Sequence, residues 1–138
     1  MSDSLLGHTK IVLASVPHVG TAGTMTATEV DGRGYDRACF IISIGAMTNT
    51  ATFDAKITDC ATSGGSYANT AGTGLTQIAD TGGSTVHTID IPVSQTRPFM
   101  KTLIVTTTAA AVNSAICILY NGTRKEGVTQ GTTQAVVV

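Results

Sequence analysis

Three histidines, His8, His18 and His87, are the residues best suited to acid–base or metal chemistry in this chain. They lie in unrelated segments, whereas metal sites use His, Cys and carboxylate ligands at short, defined spacings. The group of residues that comes nearest to an ionisable cluster is His87 with Asp80 and Asp90. His87 and Asp90 are three residues apart in an alternating segment, so they should face opposite sides of a strand. The sequence therefore predicts no catalytic residue, no metal site and no cofactor.

Other ligand-binding motifs have simpler explanations. The glycine runs at 32–34 and 72–74 do not join a strand to a helix, and no Gly-Lys-Ser/Thr follows either run. They are typical of turns rather than of phosphate-binding loops. Tyr35, Tyr67 and Tyr120 could line a platform for stacking sugars, or they could cap the ends of strands. No nucleophile elbow is present, so the sequence predicts that the protein is not an enzyme.

The composition is poor in charge. Charged residues make up 12% of the 138 residues, and the formal net charge is −1. Such a chain has no basic surface to attract nucleic acid or an anionic membrane. Pairs such as Asp36 with Arg37 and Asp54 with Lys56 should contribute less than about 1 kcal/mol each. The low charge favours a protein that is packed in an assembly over a free monomer.

Three cysteines, Cys39, Cys60 and Cys117, form an odd number without metal-type spacing. Cys39 and Cys117 lie in apolar runs, where a free cysteine behaves as a small hydrophobic residue. We expect all three to be reduced thiols in a protein made in a cytoplasm. The first seven residues do not resemble a signal peptide, and no run of 18 apolar residues predicts a membrane span.

Residues 34–57 carry the clearest strand pattern. Residues 37–45 form an apolar run, and residues 51–59 alternate after a short polar link. On the second run, one face carries Phe53, Ala55 and Ile57, and the other carries Thr52, Asp54 and Lys56. This pattern predicts an antiparallel β-hairpin in a sheet with one buried and one wet face.

Further strands are predicted at residues 10–16, 24–30, 75–79, 84–91, 99–107 and 114–120. Pro17 should end the first of these, and Pro92 should end the strand at 84–91. In that strand His87, Ile89 and Ile91 share a face, and in 99–107 so do Phe99, Leu103 and Val105. Residues 114–120 form an almost continuous apolar run, which suits the centre of a sheet.

Turn signals recur about every 8 to 15 residues, and the chain contains 25 threonines and 15 glycines. These features predict an all-β fold: an antiparallel β-sandwich, jelly-roll-like, with extended terminal arms. We predict one sandwich domain over residues 1–127, in which residues 1–9 could form an N-terminal arm. Residues 128–138 form a β-prone C-terminal arm or a last strand. The arm would need backbone pairing, in its own sheet or on a neighbour.

A wider pattern runs through residues 35–78. It combines a Tyr-Asp-Arg lead-in, an apolar strand ending in Gly, a Thr-Phe-Asp-Ala-Lys-Ile strand, an acidic residue, a Gly-Gly-Ser-Tyr segment and a Thr-Gln-Ile strand. These are Tyr35–Arg37, Gly45, Thr52–Ile57, Asp59, Gly64–Tyr67 and Thr76–Ile78, followed later by Arg97–Lys101. In this the sequence resembles small virion structural proteins of tailed bacteriophages, of the capsid decoration or cement type. The resemblance covers about half of the chain.

The resemblance implies a non-enzymatic protein that binds the outer surface of a phage head and stabilises it as a homo-oligomer, a dimer or a trimer. It also implies the major capsid protein as partner, synthesis in the host cytoplasm and location on the capsid exterior. The apolar ends are the predicted subunit or capsid interface: Leu5, Leu6, Ala135, Val136, Val137 and Val138. The alternatives are a head–tail connector or tail component, and a carbohydrate-binding fibre module.

Overall fold

The computed structural model describes residues 5–18, 22–107 and 111–121. Within these residues the chain forms one short helix and ten β-strands. They are α1 (Leu5–His8), β1 (Lys10–His18), β2 (Gly23–Thr24), β3 (Val30–Asp31), β4 (Arg37–Met47), β5 (Thr52–Cys60), β6 (Ala68–Asn69), β7 (Ile78–Ala79), β8 (Thr85–Pro92), β9 (Phe99–Thr107) and β10 (Ala111–Tyr120). Single 3-10 turns at Asp80–Gly82 and Val93–Gln95 flank β8.

The strands form two antiparallel sheets. The four-stranded sheet has the order β1-β10-β4-β8, and the six-stranded sheet has the order β2-β9-β5-β6, with β3 on β9 and β7 on β5. Counting β2 with β3 and β6 with β7 as one strand each, the eight resulting strands follow the orders 1-8-3-6 and 2-7-4-5. This is the double Greek key of a jelly roll. The prediction of an all-β antiparallel sandwich of jelly-roll type is confirmed.

The core lies between the sheets because each long strand alternates in burial. Phe40 and Ile42 on β4 and Phe53 and Ile57 on β5 have no exposed side-chain surface. The buried residues of β10 include Cys117 and Leu119, and its run occupies the predicted central position between β1 and β4. On β8, Ile89 and Ile91 are buried on the same side as His87, as the alternation predicts.

The predicted hairpin is wrong. β4 pairs with β10 and β8, whereas β5 pairs with β9, β6 and β7, so the two strands belong to different sheets. Residues 48–51 carry the chain across the sandwich, in a turn where the Ala51 amide donates to the Thr48 carbonyl at 3.0 Å. Two alternating strands can bury their apolar faces against each other across a core as well as side by side.

Phe99, Leu103 and Val105 share a face of β9, as predicted, but the core lies on the other face of this strand. Register with β5 places Thr106 beside Phe53, Ile104 beside Ala55 and Thr102 beside Ile57, so these three β9 residues face the core. Leu103 and Val105 are half-exposed on the outer face, and Phe99 is buried where β9 begins. Thr102 is accommodated in the core because its hydroxyl donates to the Ala14 carbonyl at 3.2 Å.

Three strand boundaries also differ from expectation, and the strand predicted at 75–79 is reduced to β7, Ile78–Ala79. β1 continues through Pro17 to His18, because register shifts on either side of Ser15 free this edge strand from regular pairing. The strand predicted at 24–30 is instead the two short strands β2 and β3. Between them Ala27 bridges to Ser15, so the chain leaves β9 for β1 and then returns to β9.

Candidate functional site

The structure does not bring the candidate ionisable residues together. The His87 ring lies 2.9 Å from the Thr85 hydroxyl, and Asp80 accepts the Thr50 amide at 2.7 Å. Asp90 faces the opposite side of β8 from His87 and bonds elsewhere, as predicted. In the described part of the chain, no group of three or more His, Cys, Asp or Glu residues could hold a metal ion.

The three cysteines are not arranged as reactive thiols. Cys39, Cys60 and Cys117 are all free. Burial raises the pKa of the Cys39 and Cys117 thiols, and the charge of Asp90 adds to the effect at Cys39. A thiol with a raised pKa is a poor nucleophile and metal ligand at neutral pH.

The outer side of the four-stranded sheet carries a continuous group of apolar residues. Register aligns them in two rows that cross β1, β10 and β4. The rows are Ile11, Ile118 and Cys39, and Leu13, Ile116 and Ile41. We call these six residues the apolar face. The residues that alternate with them along the strands, such as Phe40 and Cys117, fill the core. The sheet is therefore apolar on both sides across these three strands.

Within the described residues the apolar face is partly exposed, and Ile11, Cys39, Ile41 and Ile118 are half-buried. Leu13 on the edge strand β1 and Ile116 on β10 are 38% and 37% exposed, and Val112 and Val86 at the margins of the face are 36% and 64% exposed. Apolar side chains that are exposed singly are ordinary, but a contiguous patch on a soluble domain marks an interaction site. The apolar face is therefore the strongest candidate interaction surface among the described residues.

A closed polar cluster borders the apolar face at one end. Arg37 Nε donates to Asp90 Oδ1 at 3.2 Å and to the Tyr120 hydroxyl at 3.0 Å, and that hydroxyl donates to Asp90 Oδ2 at 2.6 Å. The bond to Asp90 raises the pKa of Tyr120. The sequence predicts a pair between Arg37 and Asp36. In the structure Arg37 pairs with Asp90 instead. The cluster has no net charge.

The six-stranded sheet presents a different outer face. Its outward residues include Asp54, Lys56 and Lys101, and Asp54 bonds Gln77 at 2.8 Å instead of the predicted Lys56. An opening of about 280 Å³, lined in part by Leu75, Leu103 and Val105, lies beside these charges. This face combines charges with apolar side chains, so it is less suited to a purely apolar contact.

A carboxylate anchors the loop that follows β5. Glu29 accepts hydrogen bonds from the Ser63 hydroxyl at 2.5 Å, the Gly64 amide at 2.9 Å and the Tyr67 hydroxyl. Lys101 lies 4.6 Å from the centre of the Tyr67 ring. These contacts tie residues 63–67 to the segment between β2 and β3, and the same hydrogen bonds lower the pKa of Glu29 from 4.5 to about 2.

We expect this anchor to weaken only in strong acid. A carboxylate whose pKa is lowered on folding stabilises the fold fully above its unfolded pKa of about 4.5 and loses that contribution as the pH falls toward 2. The Gly64 amide resonance should therefore titrate in NMR spectra with a midpoint near pH 2. Glu29→Gln should abolish the titration, and Asp54→Asn should leave it unchanged. A midpoint near 4.5 would mean that the three hydrogen bonds do not persist in solution.

An ion pair fixes the end of β5 where that loop begins. Asp59 is 8% exposed, and its carboxylate accepts Arg97 Nε at 2.5 Å and the Thr70 hydroxyl at 2.8 Å. Arg97 also donates to the Asp59 carbonyl at 2.6 Å. Burial pushes the pKa of Asp59 upward, but the bonds from Arg97 and Thr70 outweigh it and hold the pKa below its usual value.

The residues predicted from the sequence as an interface are only partly within the described ranges. Leu5 in α1 is 61% exposed, and Leu6 is half-buried. Ala135, Val136, Val137 and Val138, and the whole arm at 128–138, lie outside the described residues. The role of both ends as contact elements stays a prediction.

Sequence reasoning missed the apolar face, although a signal was present. Residues 38–42 and 115–119 are apolar at every position, so both faces of β4 and β10 are apolar there. A strand with one wet face alternates, and a continuous run requires cover on both sides. The run at 114–120 predicts a strand at the centre of a sheet but does not by itself show that the outer side of that sheet is apolar.

None of the helices in the described ranges is long and apolar enough to cross a membrane. Neither a protein-family model nor a curated protein matches the sequence. Among solved structures, the chain is similar to a chain from infectious bursal disease virus, Gx strain, with a TM-score of 0.53 and 12% identity. The match covers 85% of this chain and 33% of the viral one, so this chain spans about a third of that protein's length.

Two looser matches have TM-scores below 0.5 and carry no weight. One is a chain of the Israel acute paralysis virus pentamer, at TM-score 0.41 and 12% identity, covering 94% of this chain and 79% of that one. The other is the C-terminal CBM6 of the laminarinase LamC from Zobellia galactanivorans, at TM-score 0.44 and 11% identity, covering 80% and 98%. At such identities, the likeness to the bursal disease virus chain establishes the sandwich fold and nothing finer.

Proposed function

We propose that this chain is a non-enzymatic structural protein of a virion, a decoration or cement protein that binds the outer surface of a phage head. In this proposal it is made in the host cytoplasm and assembles as a homo-oligomer. Its second partner is the major capsid protein, whose neighbouring subunits it clamps together. Neither nucleic acid nor membrane is a partner.

The jelly-roll strand order is the observation that carries the proposal. It extends over nearly the whole described chain, and the solved structure that is similar at TM-score 0.53 comes from a virus. The resemblance of residues 35–78 to tailed-phage virion proteins points to the same class independently of the fold. The charge-poor surface supports the proposal further, because it suits a protein that is held in an assembly.

Attachment to the capsid would be multivalent. Each chain contributes a weak contact, and joining copies in one oligomer adds these contacts through effective concentration. We propose the chain ends as the contact elements, with exposed Leu5 at one end and Ala135 to Val138 at the other. Such short apolar segments are individually weak, so capsid binding should depend steeply on oligomer formation.

Quantitative mass spectrometry of purified virions, scaled to the major capsid protein, tests the function. We expect hundreds of copies per particle. A handful of copies would replace the proposal with a connector, tail or fibre component, and complete absence would remove the virion role. In the same assay Val136→Asp with Val138→Asp should abolish decoration, because burying two carboxylates in an apolar contact is costly. Thr132→Asp with Thr133→Asp is the matched control, and equal loss there would contradict the assignment to the valines.

A further inference from the structure

We propose that the apolar face is the surface on which a second copy of this chain docks, so that two four-stranded sheets pack face to face as a two-fold pair. This inference rests on the proposed function in one respect: it identifies the surface that forms the homo-oligomer. It does not involve the chain ends, which we assign to the capsid contact.

The side chains of the apolar face are suited to such a contact. Leu13, Ile116 and Ile41 occupy one rung across three strands, and Ile11 and Ile118 lie on a neighbouring rung. Four of these five residues are β-branched and have few rotamers to lose when they are covered. They project from a regular sheet, and packed sheets lie about 10 Å apart with interdigitated side chains.

The whole outer side of the four-stranded sheet, of which the apolar face is a part, has about the smallest area that forms a specific pair. Four strands at about 4.8 Å spacing, each about eight residues long at about 3.3 Å per residue, present about 500 Å². Covering this area on both copies buries about 1,000 Å² in total, which reaches the lower bound for a specific interface. The face would form the apolar core of that interface, and the cluster of Arg37, Asp90 and Tyr120 would lie in its polar rim.

The distribution of charge favours a second copy over another partner. Of the outward-facing residues on β1, β4, β8 and β10, only Arg37 and Asp90 are charged, and they neutralise each other. The face therefore offers no unpaired charge to select an acidic or basic partner. A two-fold contact places a surface against itself, which is favourable only where like charges do not meet. A neutral apolar centre satisfies this condition.

Analytical ultracentrifugation of the full chain tests the proposal. We expect wild-type protein to form pairs, and Ile116→Lys to raise the dissociation constant on the order of 100-fold or more by burying an unpaired charge. Leu13→Lys, on the edge strand, should act in the same direction. Thr24→Lys, which adds the same charge to the exposed β2 of the other sheet, should leave pairing unchanged. Circular dichroism confirms that each variant is folded.

Methyl NMR gives a second measurement that needs no variant. In a mixture of labelled and unlabelled wild-type chains, the methyl groups of Ile41 and Ile116 should show intermolecular contacts. A monomeric wild type, an oligomer unaffected by both lysine variants, or contacts from these methyls only to residues 122–138 of the same chain would each overturn the proposal. An oligomer built through another surface that still decorates capsids would overturn this inference and leave the proposed function intact. If the chain pairs through the apolar face but no copies are found in virions, the proposed function is overturned and this inference stands.

Discussion

Phe53→Ala is expected to destabilise the sandwich by about 3–5 kcal/mol, the largest effect of any single change that we predict. Phe53 has no exposed surface and lies on the inward side of β5, on the rung of Thr106 in β9 and Ile78 in β7. Removing the ring leaves a cavity between two sheets whose separation is fixed by all the other core residues, so the site cannot collapse to fill it.

Urea denaturation followed by circular dichroism measures this loss. The midpoint should fall while the slope stays constant, because the surface exposed on unfolding barely changes. Since a domain of this size is stable by about 5–15 kcal/mol, this loss removes a large share of the total stability. Lys56→Ala, on the outward side of the same strand, is the matched control and should change stability by less than about 0.5 kcal/mol. Equal losses at both positions would contradict the burial of this face.

Arg97→Met is expected to cost about 2–3 kcal/mol at neutral pH, the second largest effect. The guanidinium supplies two hydrogen bonds to Asp59, one to the carboxylate and one to the carbonyl. Without it the nearly buried carboxylate keeps the Thr70 hydroxyl as its remaining side-chain donor. Arg97 itself is partly exposed, which places the cost below that of breaking a fully buried pair.

The dependence on pH distinguishes this explanation from a simple loss of packing. With Arg97 present the pKa of Asp59 is lowered, so the pair stabilises the fold above the unfolded pKa and loses this contribution as the pH falls through the folded one. In Arg97→Met, only the Thr70 hydroxyl still opposes the effect of burial, so the pKa of Asp59 should rise. The difference in unfolding free energy between variant and wild type should therefore shrink in acid. Asp59→Asn in the variant background should restore part of the stability at pH 7, and a difference that is independent of pH would contradict the role of the charge.

The sequence was sufficient to predict strands and their faces, because alternation is a local property. The inward residues of β5 and β8 are those that the pattern indicates. It could not show which strands pair: the short link at 48–51 is compatible with a hairpin and with a crossing between sheets. Which face of β9 is buried depends on its register with β5, and register is a long-range property. It places threonines inward, against the local hydrophobic pattern.

The composition of the apolar face could be predicted from the sequence, but its arrangement could not. The absence of charge and the double-sided apolar runs in β4 and β10 are visible in the sequence, but only pairing places Ile41 beside Ile116 and Leu13 beside both. The ion pairs were the least predictable part. Arg37 and Arg97 find partners 53 and 38 residues away in the chain, whereas the sequence suggested the adjacent Asp36 for Arg37 and no partner for Arg97.

The pairing of β1 with β10 also sets the order in which the protein can be completed during synthesis. Lys10 lies opposite Leu119, so the first strand must remain without its neighbour until roughly a hundred further residues have been translated. At about 5–20 residues per second this takes on the order of 5–20 s, during which β4 also lacks β10. The four-stranded sheet therefore cannot close before β10 has been translated, and until then the apolar residues of β1 and β4 lack the strand that lies between them.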